Sequence, residues 1–173
     1  MFLVIFGIQG SGKGTQADLL AKKLGIPHLS TGDMLRSIAA EDTPLGHELK
    51  TMLDSGQYLD DDRMTAILKE RLPEHCILDG YPRTLNQAEL LDTIRSVDKV
   101  LYVELHEQEA MARMLKRGRS DDTPEAISKR FGQYKLAEEA ILDYYRQQTK
   151  LVTVNGDQSV EAVFNDIYAS LRI

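Results

Sequence analysis

The chain has 173 residues, 42% of them hydrophobic and 28% charged, with a formal net charge of −6. That balance fits one globular domain and excludes disorder, and the acidic sum excludes a global basic surface for nucleic acid or anionic lipid. A single cysteine, Cys76, excludes an internal disulfide and a cysteine-clustered zinc site, and no apolar run approaches the roughly 18 residues of a membrane span. The expectation is a cytoplasmic protein whose phosphate site, if it has one, is locally basic.

Phe2 to Phe6 opens the chain as a continuous apolar run, the pattern of a strand covered on both faces. It has no basic flank and breaks at Gly7, so it reads as a first strand and not as a signal segment. Ala17, Leu20, Ala21 and Leu24 then share one helix face, which Gly25 and Pro27 end. A weaker strand covers Ile26 to Leu29. Leu45, Leu49, Met52 and Leu53 make a second helical stripe up to Gly56, and Met64, Ile67, Leu68 and Leu72 make a third before Pro73. Cys76 to Leu78, Lys99 to Leu105 and Leu151 to Val154 read as further strands. Val160, Val163, Phe164, Ile167, Tyr168 and Leu171 form a closing helix. Strands alternating with helices predict an α/β fold around a parallel sheet. No internal repeat or Pro/Gly/Ser linker interrupts it, so residues 1–173 read as one domain.

Directly after the first strand stands Gly7-Ile8-Gln9-Gly10-Ser11-Gly12-Lys13-Gly14-Thr15, followed by a helical segment. This is the context of a phosphate-binding loop. Glycines let successive N–H groups turn inward around phosphate oxygens, and the helix points its positive end at the same anion. Lys13 adds a mobile charge suited to the β- and γ-phosphates. Gly10, Ser11, Gly12, Gly14 and Thr15 complete the cradle. The common pattern has Ser or Thr directly after the lysine, whereas here Gly14 precedes Thr15, the candidate hydroxyl on the magnesium side.

Three later blocks narrow the reading. They are Ser30-Thr31-Gly32-Asp33-Met34-Leu35-Arg36, then Leu78-Asp79-Gly80-Tyr81-Pro82-Arg83-Thr84 with Gln87, then Arg117-Gly118-Arg119-Ser120-Asp121-Asp122 with Arg130. With the loop, their order and spacing closely resemble the adenylate kinase family over essentially the whole chain. The resemblance implies a P-loop NTPase three-layer αβα core with a five-stranded parallel sheet. It also implies a nucleoside-monophosphate-binding insertion near residues 30–59 and a short mobile lid at 116–122. The implied reaction is ATP + AMP to 2 ADP, with Mg2+ accompanying ATP and no structural zinc, since the lid lacks the length and cysteines of zinc-carrying relatives. Gln9 stands where the family usually has proline, and Leu78 and Tyr81 where phenylalanine is more common. These departures alter packing and loop stiffness more than chemistry.

Transfer between two polyphosphates requires positive charge to hold both anions together, and arginine binds phosphate bidentately while staying charged. The resemblance implies that Arg36, Arg83, Arg119 and Arg130 act on AMP and the transferring group, and Arg117 and Gln158 on ATP. On the AMP side it adds Thr31, Gln57, Tyr58, Leu59, Gly80, Tyr81, Pro82 and Gln87. Thr31 offers a hydroxyl to the base, and Gln87, about one helical turn beyond Arg83, offers an amide that both donates and accepts. Asp79 ends a strand where a magnesium-associated carboxylate belongs, reached through water because that ion dehydrates reluctantly.

No general base is needed, since the acceptor is already an anionic phosphate oxygen. His28, His47, His75 and His106 share no ligand spacing and read as structural. Asp121 and Asp122 either favour the start of the helix opened by Thr123-Pro124-Glu125 or pair with lid arginines. Asp60, Asp61 and Asp62 read as favouring the N-terminus of the Met64 helix. Competing functions are a UMP/CMP kinase, a GTPase-like switch, whose Asn-Lys-x-Asp motif is absent, and a non-catalytic nucleotide-binding module, which Lys13 and five candidate arginines argue against. The expected partners are ATP, AMP and ADP, with no nucleic acid and no membrane, and the expected working unit is a monomer.

Overall fold

Every residue of β1 (Phe2–Phe6) is buried, as expected for a central strand of a parallel sheet covered on both faces. The computed structural model describes residues 1–119 and 121–171; Ser120, in the expected lid, and the last two residues lie outside them. After β1 come α1 (Lys13–Leu24), β2 (His28–Ser30), α2 (Thr31–Ala39), α3 (Pro44–Asp54), α4 (Asp61–Arg71) and β3 (Cys76–Asp79). Then follow α5 (Leu85–Ile94), β4 (Lys99–Glu104), α6 (Glu107–Arg117), α7 (Pro124–Gln147), β5 (Leu151–Asn155) and α8 (Val160–Ser170). The five strands form one sheet in the order β2-β3-β1-β4-β5, with every pairing parallel.

The period-two alternation along β1 divides the core. Leu3 and Ile5 face α1 and α8, meeting Ala17, Leu20, Val163 and Ile167. Phe2, Val4 and Phe6 face the opposite layer, where α2 to α5 and α7 supply Leu35, Leu49, Leu68, Leu91 and Ile141. A third cluster of Ile8, Ala110, Met114, Ile127 and Phe131 lies beneath the loop after β1 and joins α6 to α7. Cys76 is fully buried at the start of β3, and burial pushes its thiol pKa up to about 11.

Element ends differ from the sequence pattern for local reasons. Pro27 lies outside β2, although its carbonyl still accepts the Ile77 N–H at 2.9 Å. Leu72 is the extended cap of α4 and not its last helical residue, because Pro73 disfavours helical backbone in the residue before it. Leu105 leaves the sheet and packs on the Ile8 cluster.

Six helices close their N-termini with a side chain. Ser30, Thr43, Asp60, Thr84, Thr123 and Ser159 each accept the N–H of the residue three positions on, a contact worth about 1 kcal/mol. Pro44 and Pro124 take the first helical position, where no donor is needed. The start of α1 has no such cap: Gly12 precedes it in a left-handed conformation and offers no side chain.

Two substitutions test this division of core from surface. Ile77→Ala, at a fully buried site in β3, should lower unfolding stability by about 2–5 kcal/mol. Leu136→Ala, 89% exposed on α7, should change it by less than about 0.5 kcal/mol. Chemical denaturation of both variants measures the difference, and equal losses would contradict the burial pattern.

Candidate active site

β1 ends at the point where the strand order turns, with β3 on one side and β4 on the other, which is where open parallel sheets place their ligand crevice. The chain leaves Phe6 into the glycine-rich loop, which lies tightly on α6. A Cβ at Gly10, whose φ is 92°, would fall 2.4 Å from the Ala110 carbonyl oxygen, so only glycine fits there. Gly10, Gly12, Lys13, Gly14 and Thr15 line a cavity of about 1050 Å³. α1 has no side-chain cap, so its first-turn N–H groups have no partner within the helix, the arrangement that suits an anion. Ser11 is buried, its Oγ without a hydrogen-bond partner among the described residues. Burial pulls the Lys13 ammonium pKa below its ordinary value, opposed by Asp79, while nearby Arg83, Arg117 and Arg119 add to the lowering.

Asp79 ends β3 in register with Ile5 of β1 and Ser30 of β2. A side chain on Gly14 would begin 3.4 Å from its Oδ2, so the carboxylate abuts the start of α1. Burial works against its charge, but His28, Lys13 and Arg83 outweigh it and hold the carboxyl below the usual range. Its Oδ1 is buried with no hydrogen-bond partner among the described residues. An ionised buried carboxylate with a free oxygen, next to a phosphate loop, is the donor chemistry a hydrated magnesium ion accepts. Among the described residues no three His, Cys, Asp or Glu side chains form a protein-only metal cage.

His28 is not a remote structural residue: it lines the cavity, with Nε2 3.7 Å from Asp79 Oδ2 and Nδ1 2.7 Å from Asp18 Oδ1. Burial would lower its pKa, but the two carboxylates raise it above the ordinary value.

The candidate arginines converge on the same cavity. Arg36, Arg83, Arg117, Arg119 and Arg130 all line it. Arg83 Nε donates to the Gly80 carbonyl at 2.8 Å, and its guanidinium lies 4.5 Å from the Tyr58 ring centroid, a cation–π arrangement. Gly80 has φ 84°, and a Cβ there would meet the Thr31 hydroxyl at 2.6 Å. Arg117 makes a two-pronged bond to Asp122, 2.9 Å at each prong. Arg130 is buried, and its Nη2 donates to Asp121 Oδ2 at 2.7 Å and to the Leu53 carbonyl at 2.8 Å. Asp121 and Asp122 therefore serve as arginine partners. Asp33 pairs with Arg36 and lies 3.6 Å from Arg119. Burial and the neighbouring Arg36 and Arg117 charges pull the Arg119 pKa down, a sign of crowded positive charge.

Gln57, Tyr58, Gly80, Tyr81, Pro82 and Gln158 also line the cavity. Thr31, Leu59 and Gln87 stand behind its wall, each under 8% exposed. The Thr31 hydroxyl donates to the Asp79 carbonyl at 3.1 Å, and the Gln87 amide is held by Asp61 and by the Arg83 backbone. Arg113 was not singled out in the sequence, yet it lines the cavity and donates to the Gly156 carbonyl at 3.3 Å. Its signal was its place one helical turn before Arg117 on α6, on the same face.

The His28 pair gives a pH-dependent stability of defined sign. A folded pKa above the unfolded 6.5 means that the contribution is complete below 6.5 and is lost as pH rises through the folded value. In metal-free buffer, His28→Gln should therefore cost more stability at about pH 6 than at about pH 9. Denaturation of both proteins at the two pH values decides it, and an equal or larger cost at the alkaline end would contradict the His28–Asp79 pairing.

Comparison with known proteins agrees with this geometry. The family model described as adenylate kinase matches residues 5–150. Adenylate kinase 1 of Nostoc sp. is 40% identical, with 98% of this chain and 97% of the relative covered. The adenylate kinase of Caulobacter sp. is 39% identical, covering 100% of this chain and 99% of the relative. That of Chlamydia pneumoniae is 37% identical over 95% of this chain and 94% of its own. With a loop, an arginine ring and relatives matched along nearly their full lengths, the chain belongs to the adenylate kinase family.

Proposed function

We infer that the chain moves the terminal phosphoryl group of ATP onto AMP and back. The observation that carries this is one cavity lined both by the glycine-rich loop with Lys13 and by Arg36, Arg83, Arg119 and Arg130. Its volume of about 1050 Å³ lies at the upper end of the usual range for ligand sites, roughly 300–1,000 Å³.

In this reading the first-turn amides of α1 hold the ATP phosphates with Lys13, Gly10, Ser11, Gly12, Gly14 and Thr15, while Arg113, Arg117 and Gln158 border the donor nucleotide. Arg36 and Arg83 hold the AMP phosphate. An AMP phosphate oxygen attacks the γ-phosphorus, the bond from that phosphorus to the bridging oxygen breaks, and the β-phosphate of ADP leaves. The attacking oxygen is already anionic, so no base is required, and catalysis is positioning and charge stabilisation. Arg119 and Arg130 meet the charge that spreads over the transferring group. Arg130 is held in advance by Asp121 and the Leu53 carbonyl, so little reorganisation accompanies the step. Asp79 and Thr15 are the residues that would hold the water shell of magnesium, which neutralises phosphate charge when it binds with ATP.

On the acceptor side Gln87 and Thr31 read the base as it enters behind Arg83, with Gln57, Tyr58, Leu59, Gly80, Tyr81 and Pro82 around it. Residues 30–59 and 116–122 act as the segments that close over both nucleotides and exclude water. Supporting this, Asp33 approaches Arg119, Leu53 accepts from Arg130, and the Tyr58 hydroxyl donates to the Arg130 carbonyl at 3.4 Å. The working unit in this reading is a monomer, one chain supplying the phosphate loop, the arginines and both closing segments. Among the described residues no helix is long and apolar enough to cross a membrane.

An acceptor series of AMP, UMP, CMP and GMP at fixed ATP and magnesium tests the reading. AMP should be favoured by about 10² to 10⁴ in kcat/KM over the pyrimidines, the scale of one or two unpaired buried polar groups. Comparable rates with UMP or CMP would move the assignment to a pyrimidine kinase, and ATP binding without transfer to any acceptor would make the chain a binding module.

Arg83→Lys keeps the charge but loses the planar fork, and kcat/KM should fall on the order of 10³-fold. A change within about twofold, smaller than any single phosphate contact, would place Arg83 outside the reaction.

A further inference from the structure

Of the three aspartates at the start of α4, Asp60 supplies the side-chain cap, accepting the Arg63 N–H at 2.9 Å, while Asp61 and Asp62 lie in the first turn. Asp61 turns instead to the start of α5. Its Oδ2 accepts from the Thr84 hydroxyl at 2.9 Å and from the Asn86 amide at 3.0 Å, and its Oδ1 accepts from Gln87 Nε2 at 2.8 Å. At the other end of the same amide, Gln87 Oε1 accepts the Arg83 backbone N–H at 2.8 Å. An ionised carboxylate can only accept and a backbone N–H can only donate, so these two partners leave the Gln87 amide a single orientation. That orientation follows from the partners' chemistry alone.

We propose that Asp61 is the positioning residue for acceptor-base specificity, locking the Gln87 amide in the orientation that reads adenine and rejects hypoxanthine. This rests on the reading of Gln87 as the base-side amide. With one N–H given to Asp61 and one lone pair to Arg83, Gln87 retains one N–H and one lone pair. Adenine matches that remainder, because its amino group donates and the adjacent ring nitrogen accepts. Hypoxanthine carries a carbonyl in place of the amino group and a proton on N1, so it needs the reversed amide. Reversal would set Oε1 against the Asp61 carboxylate and Nε2 against the Arg83 N–H. Gln87 is 2% exposed, so no bulk water relieves those two contacts.

Asp61→Asn removes the lock in a defined direction. Asn86 and Thr84 donate to Oδ2 of Asp61, so an asparagine keeps its oxygen toward them and turns its NH₂ toward Gln87, which favours the reversed amide at that end and leaves the Arg83 N–H alone to oppose it. The ratio of kcat/KM for AMP to that for IMP should fall about tenfold or more, the discrimination of one buried hydrogen bond, with part of the fall a gain in IMP phosphorylation. A residue that only packs α4 against α5 would slow both acceptors by the same factor, and an unchanged ratio overturns the proposal. Gln87→Ala separates the two levels. If it leaves the ratio unchanged, Gln87 does not read the base and the underlying reading fails. If it collapses the ratio while Asp61→Asn preserves it, only the lock fails. Should Asp61→Asn not fold, the native enzyme labelled with nitrogen-15 glutamine gives the same decision by NMR. With AMP bound, both Gln87 NH₂ protons should exchange slowly with solvent, one held by Asp61 and one by the base; fast exchange of the Asp61-facing proton overturns the proposal.

Discussion

Seven lysine and arginine side chains among the described residues line one cavity in a chain whose net charge is −6, and the surrounding structure is built to hold that concentration of like charge. Two unit charges about 4 Å apart near a protein surface repel by roughly 4 kcal/mol, so the cluster could not persist without counter-ions. Asp33, Asp79, Asp121 and Asp122 supply them, each placed against a particular cation. The most committed pair is Arg130 with Asp121, both buried; removing one partner of such a pair typically costs about 3–5 kcal/mol because the other charge is left stranded. The carboxylates thus keep the arginines in place around the cavity.

The helix ends follow the same division between what the chain satisfies itself and what it leaves for a ligand. Six N-termini are closed by Ser, Thr or Asp side chains encoded immediately before them. The start of α1, at the carboxyl end of the central strand, has only Gly12 in front of it. The open end lies next to Asp79 and Lys13 at the strand-order reversal, where open parallel sheets place their ligand crevice.

Much of this was legible in the sequence because it is local. Apolar runs gave four strands to within a residue, and Thr123-Pro124 announced the start of α7. The glycine pattern marked the loop, since a Cβ at Gly10 has no room beside α6. The arginine blocks were readable because each sits in a motif of fixed spacing. What sequence could not supply was pairing across long separations. Asp61 looks like a helix-start acid, and its partners Thr84, Asn86 and Gln87 lie on another helix. His28 looks like a lone histidine until the parallel register of β2 on β3 sets Ser30 beside Asp79. Arg113 has no motif around it, and only the packing of α6 under the loop turns it to the cavity.

Cys76 has a consequence of a different kind. It is fully buried at the base of β3, and burial pushes its pKa up to about 11, away from the thiolate form that oxidants and alkylating agents attack. The same silence makes the chain a ready background for site-specific labelling, because a cysteine introduced on either closing segment would be the sole reactive thiol and could report distances by spectroscopy without first removing the native one.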